Sequence, residues 1–368
     1  MASGVNPVFP APPSITSTSR SRSSSPQKLS ESTYRSRTLS RAAIYVDVVN
    51  VPGEVQNRIN TALETRTADA ATLENLASKL QQKSMKLTAA QAGEADWTSL
   101  LHDIMEQLMP PNLRLVQNRE WQPDIKPKVH QPSFPQPSVP RKRLCDQGGQ
   151  ELGNPQDEST PNRQAPASTA SGQTPMTPFL LKTPRPDICV GIADDSLTDA
   201  LRSRQVANAK YLLNDLQEFR SLISDPGVTP LYLRFPFCLV EAKSGATGGN
   251  LYQAQNQAAV GGASAIEMLK QLYKACEMPL ITAPGQLLTF SATTEGPACE
   301  LWAHFWDEVD GSYCMANIDV WRTTHKERAF DFVTRLSSIL NWGSSTFQDS
   351  IVEKLICLSR HDTQTDDA

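Results

Sequence analysis

The stretch that decides the fold is PFCLVEAKSGATGGNLYQAQNQAAVGGASAIEML, residues 236–269. It starts as an apolar run that ends in Glu241 and Lys243, whose spacing of two places both side chains on one face of a strand. A Gly-rich turn and a long helix beginning near Asn250 follow. Two charged groups at the end of a buried strand are costly unless they are paired or bound to a metal. Either these side chains find partners, or the strand ends there and they are solvated.

A second carboxylate follows Pro186 in the short apolar run RPDICVGI, residues 185–192. If this strand neighbours the first, Asp187 and Glu241 can converge. Two carboxylates, the backbone carbonyl of Ala242 and waters form the hard oxygen site that Mg²⁺ requires. A metal there polarises a phosphodiester, and Lys243 can activate the attacking water. The alternatives are carboxylates that cap strands at the surface and a lysine that extends to solvent.

The order of elements around these strands predicts an α/β fold with a mixed sheet flanked by helices. Apolar spacing predicts amphipathic helices upstream, the strongest of which begins at Glu94 and ends at Pro110-Pro111. Pro236 suggests a bulge or a sheet edge at the start of its strand. The predicted helices and strands are helices over 53–64, 70–85, 195–222, 325–340 and 348–359, and strands over 231–244, 286–294, 299–306 and 312–321.

The strings RPD and VEAK resemble the two halves of the PD-(D/E)XK nuclease signature. Residues 236–269 resemble more closely a group of fungal PD-(D/E)XK nuclease-like proteins of largely uncharacterised function. The resemblance covers roughly 90–120 and 179–345, and it implies a restriction-endonuclease-like αβββαβ core. One departure is the separation of the two motifs, which is long for this signature, so that the predicted helix at 195–222 has to fill the excursion.

The resemblance also implies roles for individual residues and a cofactor. Asp187 and Glu241 would bind Mg²⁺ or Mn²⁺, and Lys243 would be catalytic. An acidic residue of the first helix often joins such a site, and this position falls on Glu94, with Asp96 as the alternative.

The helix that follows the Gly-rich turn supplies two further candidates. Gln253 and Gln257 lie four residues apart and share one helix face, from which they can reach a metal-bound water or a phosphate. We take Gln257 as a catalytic candidate beside the simpler interpretation of a polar helix face. Gly261 and Gly262 would let this helix approach the sheet closely.

Composition divides the chain into six segments, of which three are too polar to form a core. Within the central polar segment, PRKR at 140–143 matches a nuclear localisation signal, although such clusters also arise by chance. The segments are a disordered Ser/Arg-rich tail (1–42), amphipathic helices (43–89), the first part of the nuclease-like domain (90–121), a disordered Pro/Ser/Gln-rich insertion (122–178), the nuclease-like core (179–360) and a disordered tail (361–368).

Bulk properties bound the function classes. The formal net charge of −4 counts slightly against a nucleic-acid binder. The seven Cys residues contain no CxxC pair, which favours an intracellular compartment. We find neither a secretory signal nor an apolar run long enough for a membrane helix. The expected function is a Mg²⁺-dependent nuclease that hydrolyses phosphodiester bonds of DNA or RNA, with DNA as the first expected partner, and the alternative is a catalytically inactive module that binds nucleic acid or protein.

Overall fold

A computed structural model describes residues 30–65, 68–131, 179–219, 222–276 and 287–365. Seven strands form a single sheet in the order β1-β7-β6-β5-β4-β3-β2. The strands are β1 (Ile44–Val46), β2 (Leu113–Gln117), β3 (Ile188–Ala193), β4 (Leu233–Lys243), β5 (Leu288–Glu295), β6 (Ala298–Asp307) and β7 (Ser312–Arg322).

Helices lie on both faces of the sheet. A short first helix continues into a π-helical turn over Tyr34–Leu39. The α-helices of the described residues are α1 (Glu31–Thr33), α2 (Gly53–Glu64), α3 (Ala70–Ala89), α4 (Glu94–Leu108), α5 (Asp194–Ser203), α6 (Ala209–Glu218), α7 (Leu251–Ala275), α8 (Lys326–Trp342) and α9 (Gln348–Thr365).

The sheet is mixed, which confirms the predicted fold class. Strand β4 runs parallel to β5 and antiparallel to β3, and β1 pairs in parallel with β7 at one edge. In chain order α4, β2, β3, β4, α7 and β5 follow the αβββαβ order that the resemblance implies, with α5 and α6 inserted between β3 and β4. The sheet then continues through β6 and β7.

Strand β4 lies inside the sheet, and all of its residues are buried. On one face α7 approaches closely, because a Cβ on Gly261 would lie 2.9 Å from Leu239 Cδ1 and one on Gly262 would lie 2.2 Å from the His304 ring. The predicted close approach of these two glycines is therefore confirmed. On the other face Trp342 of α8 packs edge-on against Phe290. The charged end of β4 is thus held between two helical layers.

A bulge interrupts the pairing of β3 with β4 between Val190 and Ile192. Opposite it lies Pro236, whose ring cannot donate to the ladder. Of the two positions predicted for this proline the bulge is observed, and the edge is wrong because β3 and β5 flank β4. The first half of β4 therefore keeps a register with β3 that differs from that of its second half.

Four predicted boundaries are wrong, one of them that of the disordered tail assigned to 361–368, because α9 continues to Thr365. The single helix over 195–222 is two helices, because the backbone takes positive φ at Gln205 and Asn208. Residues 30–42, assigned to a disordered tail, are structured and bury Leu39. The insertion assigned to 122–178 begins too early, since Ile125 is fully buried. Residues 1–29, 132–178 and 366–368 of the segments predicted to be disordered lie outside the described residues.

The predicted amphipathic helices are confirmed as α2 and α3. Their apolar faces join the main core, where Ile59 and Leu80 are almost completely buried. Strands β1 and β2 were not predicted, because a three-residue strand and a short strand behind a proline pair carry little periodic signal. Strand β1 lies at one edge of the sheet and β2 at the other.

Candidate functional site

The two predicted carboxylates come from neighbouring antiparallel strands. Ile188 pairs with Val240, so extending this register by one residue places Asp187 opposite Glu241. Directly opposed residues of an antiparallel pair point to the same face of the sheet. The Ala242 N–H donates to Asp187 Oδ2 at 2.7 Å, which fixes the Asp187 carboxylate against the end of β4. The structure therefore brings the two motifs together despite their long separation in sequence.

Lys243 supplies the positive charge of this group. Its Nζ lies 2.9 Å from Glu94 Oε1 and 3.9 Å from Asp187 Oδ2, and its side chain is only 6% exposed. The same ammonium donates to the Ala242 carbonyl at 2.7 Å. One cation thus contacts two carboxylates and the carbonyl that was predicted to bind a metal.

The two acidic candidates at the start of α4 have different positions. Glu94 joins the group through Lys243, although its side chain is 39% exposed. Asp96 instead accepts a hydrogen bond from the Gly93 N–H at 3.2 Å and caps its own helix. Of the two, only Glu94 is part of the site, where its carboxylate pairs with Lys243.

Burial has its strongest effect at Glu241, which is 3% exposed. Desolvation, followed by the charge of Asp187, raises the pKa of the Glu241 carboxyl well above its ordinary value. Desolvation also raises the pKa of Asp187, against the opposing effects of the Ala242 hydrogen bond and of Lys243. No group of the described residues donates a hydrogen bond to the Glu241 carboxylate. A buried carboxylate without a hydrogen-bond donor is unusual, and it marks a candidate site.

Glu241 lines a small cavity of about 50 Å³ together with Gln257 of α7. The Gln257 Oε1 atom is buried and has no hydrogen-bond partner. Gln253 lies in the first turn of α7 and does not line this cavity. Of the two predicted glutamines, only Gln257 therefore shares a cavity with Glu241.

The remaining wall of this cavity includes residues that were not predicted. Tyr34 and Lys182 line it, and the Lys182 N–H donates to the Tyr34 hydroxyl at 3.0 Å. Arg35 fastens the Tyr34 segment to α7, because its Nε donates to Asn256 Oδ1 at 2.8 Å and its guanidinium stacks on Tyr252 at 3.5 Å. The Ser/Arg-rich composition of residues 1–42 concealed this segment, and Tyr34 and Leu39 were its only apolar signal.

The carboxylates of this site match only the smaller of the ligand sets that hold Mg²⁺ in proteins. No group of three or more His, Cys, Asp or Glu side chains within the described ranges is arranged to hold a metal ion. Mg²⁺ is, however, commonly held by one or two carboxylates, with waters and substrate phosphates completing its shell. Asp187 and Glu241, opposed across β3 and β4, fit this smaller set, and Glu241 shares its cavity with the unpartnered Gln257 Oε1.

The fold and site together define a class: an α/β protein with an acidic and lysine-containing cluster where two neighbouring strands meet. The chain belongs to the family described as domain of unknown function (DUF7924), whose match covers residues 89–355, more than half of the chain. No curated protein and no solved structure matches it. Among the described residues, no helix is both long and apolar enough to cross a membrane.

Proposed function

We propose that this protein is a Mg²⁺- or Mn²⁺-dependent nuclease that hydrolyses phosphodiester bonds of DNA or RNA, with DNA as the first substrate to test. The observation that carries the proposal is the buried Glu241 carboxylate, which lies opposite Asp187 and receives no hydrogen bond from the described residues. Like charges facing each other across two strands destabilise a sheet. A divalent cation would remove this repulsion and lower both raised pKa values.

Each residue has a task in this proposal. Asp187 and Glu241 would hold the metal together with the Ala242 carbonyl, and Glu94 is the further ligand implied by the resemblance. When bound, the metal would lower the pKa of its water and polarise the phosphoryl oxygen. Lys243, already 3.9 Å from Asp187 Oδ2, is placed to offset negative charge that develops on the phosphate. The Gln257 amide in the same cavity can orient a water or a phosphate oxygen.

Cleavage of labelled DNA and RNA with Mg²⁺, Mn²⁺ or EDTA tests the proposal. Glu241→Gln and Lys243→Met should each reduce cleavage by about 10²-fold or more, as expected for loss of transition-state stabilisation. Asp199→Asn is the control, because Asp199 forms an exposed ion pair with Arg202. Cleavage that neither Glu241→Gln nor Lys243→Met reduces would overturn the proposal, because the activity would not come from this site.

Metal binding has its own readout. Mg²⁺ or Mn²⁺ should raise the melting temperature of the wild type, because a ligand that binds only the folded state stabilises it, by about 2.7 kcal/mol at 100 times its Kd. Glu241→Gln should abolish this shift. A melting temperature that is the same with and without the metal ions would argue against the site.

A second candidate is a catalytically inactive module of the same fold that binds nucleic acid or protein. The observation in its favour is that Lys243 Nζ already donates to the Ala242 carbonyl, pairs with Glu94 and lies 3.9 Å from Asp187 Oδ2, so three of the four predicted metal ligands are engaged. Nucleic-acid binding without metal-dependent stabilisation or cleavage would favour this candidate. The nuclear location proposed from PRKR concerns residues 140–143, which the structure does not describe.

A further inference from the structure

A second and larger cavity lies farther along α7 from the carboxylate site. Its volume is about 990 Å³, and α7 contributes Glu267, Lys270, Gln271 and Lys274 to its wall. These positions continue the spacing of three and four residues that starts at Gln257, so both cavities are lined by one face of α7. The other walls come from residues 41–43, residues 124–128 and the turn before Tyr313.

The wall of this cavity is strongly basic, in contrast to a chain whose net charge is −4. We call its five cations the basic cleft. Of the two carboxylates beside them, Glu267 is already engaged, because it accepts a hydrogen bond from the Tyr313 hydroxyl and pairs with Lys270 at 3.3 Å. The five cations of the basic cleft are Arg41, Lys126, Lys128, Lys270 and Lys274.

Three of these cations are held in place by neutral partners. Lys126 Nζ donates to the Leu181 carbonyl at 3.0 Å, and the Arg41 guanidinium donates to the His130 carbonyl at 3.3 Å. The Lys270 ammonium lies 3.3 Å from the centre of the Trp306 ring. The contacts of Lys126 and Arg41 orient these side chains without neutralising their charge. Lys270 is different, because it also pairs with Glu267.

The other two cations project into solvent. Lys128 and Lys274 are exposed, and neither forms an ion pair with the described residues. Lys274 is also in the last turn of α7, where a positive charge is favourable next to the helix C-terminus. That interaction accounts for one lysine but not for the concentration of five cations from three separate segments.

We propose that the basic cleft binds the phosphate backbone of DNA. A cavity for a small apolar ligand would be lined mainly by hydrophobic side chains. Several Lys and Arg side chains around one cavity instead match the row of negative charges on a nucleic-acid backbone. Along α7, Gln257 and Lys270 are about 20 Å apart at 1.5 Å per residue. A duplex strand covers this length with roughly six nucleotides. The inference rests on the proposed function only for the identity of the polyanion.

The test measures binding of a fluorescein-labelled DNA duplex by anisotropy, in EDTA so that no cleavage occurs, at several salt concentrations. The double variant Lys128→Gln with Lys274→Gln should bind about tenfold more weakly. The negative slope of log K against log salt should become shallower by about 2, because two phosphate contacts are lost. The matched control is Lys210→Gln with Lys326→Gln, which removes two exposed lysines elsewhere. Its affinity and slope should equal those of the wild type.

Three outcomes overturn the inference. The first is equal DNA affinity of the cleft variant and the control variant, and the second is no DNA binding by the wild type. The third is tripolyphosphate binding as tight as DNA binding and equally dependent on the two lysines, which would assign the cleft to free phosphate compounds. Cleft-dependent DNA binding without any metal-dependent cleavage would support the basic cleft while the nuclease proposal fails.

Discussion

The two ends of β4 both carry buried charge, but they are built in opposite ways. At its start, Arg234 has an acceptor for every nitrogen of its guanidinium. Its Nε donates to Asp194 Oδ1 at 2.6 Å, its Nη1 to Ser224 Oγ at 2.8 Å and to Gln217 Oε1 at 3.1 Å, and its Nη2 to Asn214 Oδ1 at 2.9 Å. This is the pattern of a structural buried charge, whose desolvation is offset by a full set of partners.

At its end, β4 presents Glu241, equally buried but without a hydrogen-bond donor among the described residues. Asp187 opposes it, and Lys243 pairs with Asp187 and with Glu94. The fold gives every guanidinium nitrogen of Arg234 a hydrogen-bond acceptor. It leaves the carboxylate of Glu241, a few residues along the same strand, buried without a donor. Such local conflicts tend to occur at functional sites, where the unfavourable group is kept for its chemistry.

The largest expected effect is on the satisfied end. Arg234→Ala leaves Asp194 buried without its partner and should lower the free energy of unfolding by about 3–5 kcal/mol. Urea denaturation measures the loss. The control is Arg202→Ala, whose pair with Asp199 is largely exposed and should contribute about 1 kcal/mol or less. If the free energy of unfolding falls equally in both variants, the hydrogen bonds of Arg234 do not make it a structural buried charge.

Gly191 tests the bulge that separates the two ends. A Cβ there would lie 2.5 Å from Leu233 Cδ2 and 2.8 Å from the Arg234 carbonyl oxygen, and a backbone atom cannot move aside cheaply. Gly191→Ala should therefore destabilise the protein by about 1–3 kcal/mol in thermal unfolding. Gly53→Ala is the matched control, since nothing lies within 4 Å of its Cβ and α2 should gain slightly. A neutral Gly191→Ala would show that the bulge is not held tightly.

Much of the fold could be predicted, because long periodic elements are determined by their own residues. The β4-turn-α7 unit is an example: its apolar run, its Gly-rich turn and its small helix residues all favour the same arrangement. The elements that were missed depend on tertiary contacts. Residues 34–39 are helical because Arg35 and Tyr34 bind α7 and Lys182, contacts that no local pattern contains.

The site was predictable in part. The two-residue spacing of Glu241 and Lys243 indicated one sheet face, whereas the position of Asp187 depended on β3 pairing next to β4, which periodicity does not specify. The engagement of Ala242 and Glu94 by Lys243 could not be foreseen, because a flexible lysine chooses among several acceptors only in three dimensions. Nor could the sequence reveal the basic cleft, whose cations come from three distant segments.

At the unsatisfied end the sign of the effect should reverse. Glu241→Gln removes an ionisable group that is buried without a donor, so without metal ions it should stabilise the protein at neutral pH by about 1–3 kcal/mol. The matched control is Asp225→Asn, which should destabilise, because Asp225 accepts hydrogen bonds from the Gly227, Leu231 and Tyr232 N–H groups. Destabilisation by Glu241→Gln similar to that of Asp225→Asn would show that the two ends are alike.

The stability difference between Glu241→Gln and the wild type should depend on pH. Burial and the charge of Asp187 raise the pKa of Glu241 above its ordinary value of 4.5, so the folded state binds this proton more tightly than the unfolded chain. The stability from this group is fully present below the unfolded pKa and is lost as pH rises through the folded pKa. The advantage of Glu241→Gln over the wild type should therefore grow with pH in urea denaturation curves. An advantage that does not change with pH would contradict the assignment.

The smallest expected effect on stability is at Glu94, whose ion pair with Lys243 is partly exposed. Glu94→Gln should cost about 1 kcal/mol or less. The control is Asp103→Asn, because Asp103 is 37% exposed and its carboxylate lies 2.9 Å from Lys83 Nζ, the same distance as in the Glu94 pair. The two variants should differ in their effect on the acidic site, since the Glu94 charge contributes to raising the pKa values of both Asp187 and Glu241. Carboxyl NMR titration should show the pKa values of Asp187 and Glu241 lower in Glu94→Gln and unchanged in Asp103→Asn. Unchanged values in both variants would mean that Glu94 positions Lys243 without belonging to the acidic group electrostatically.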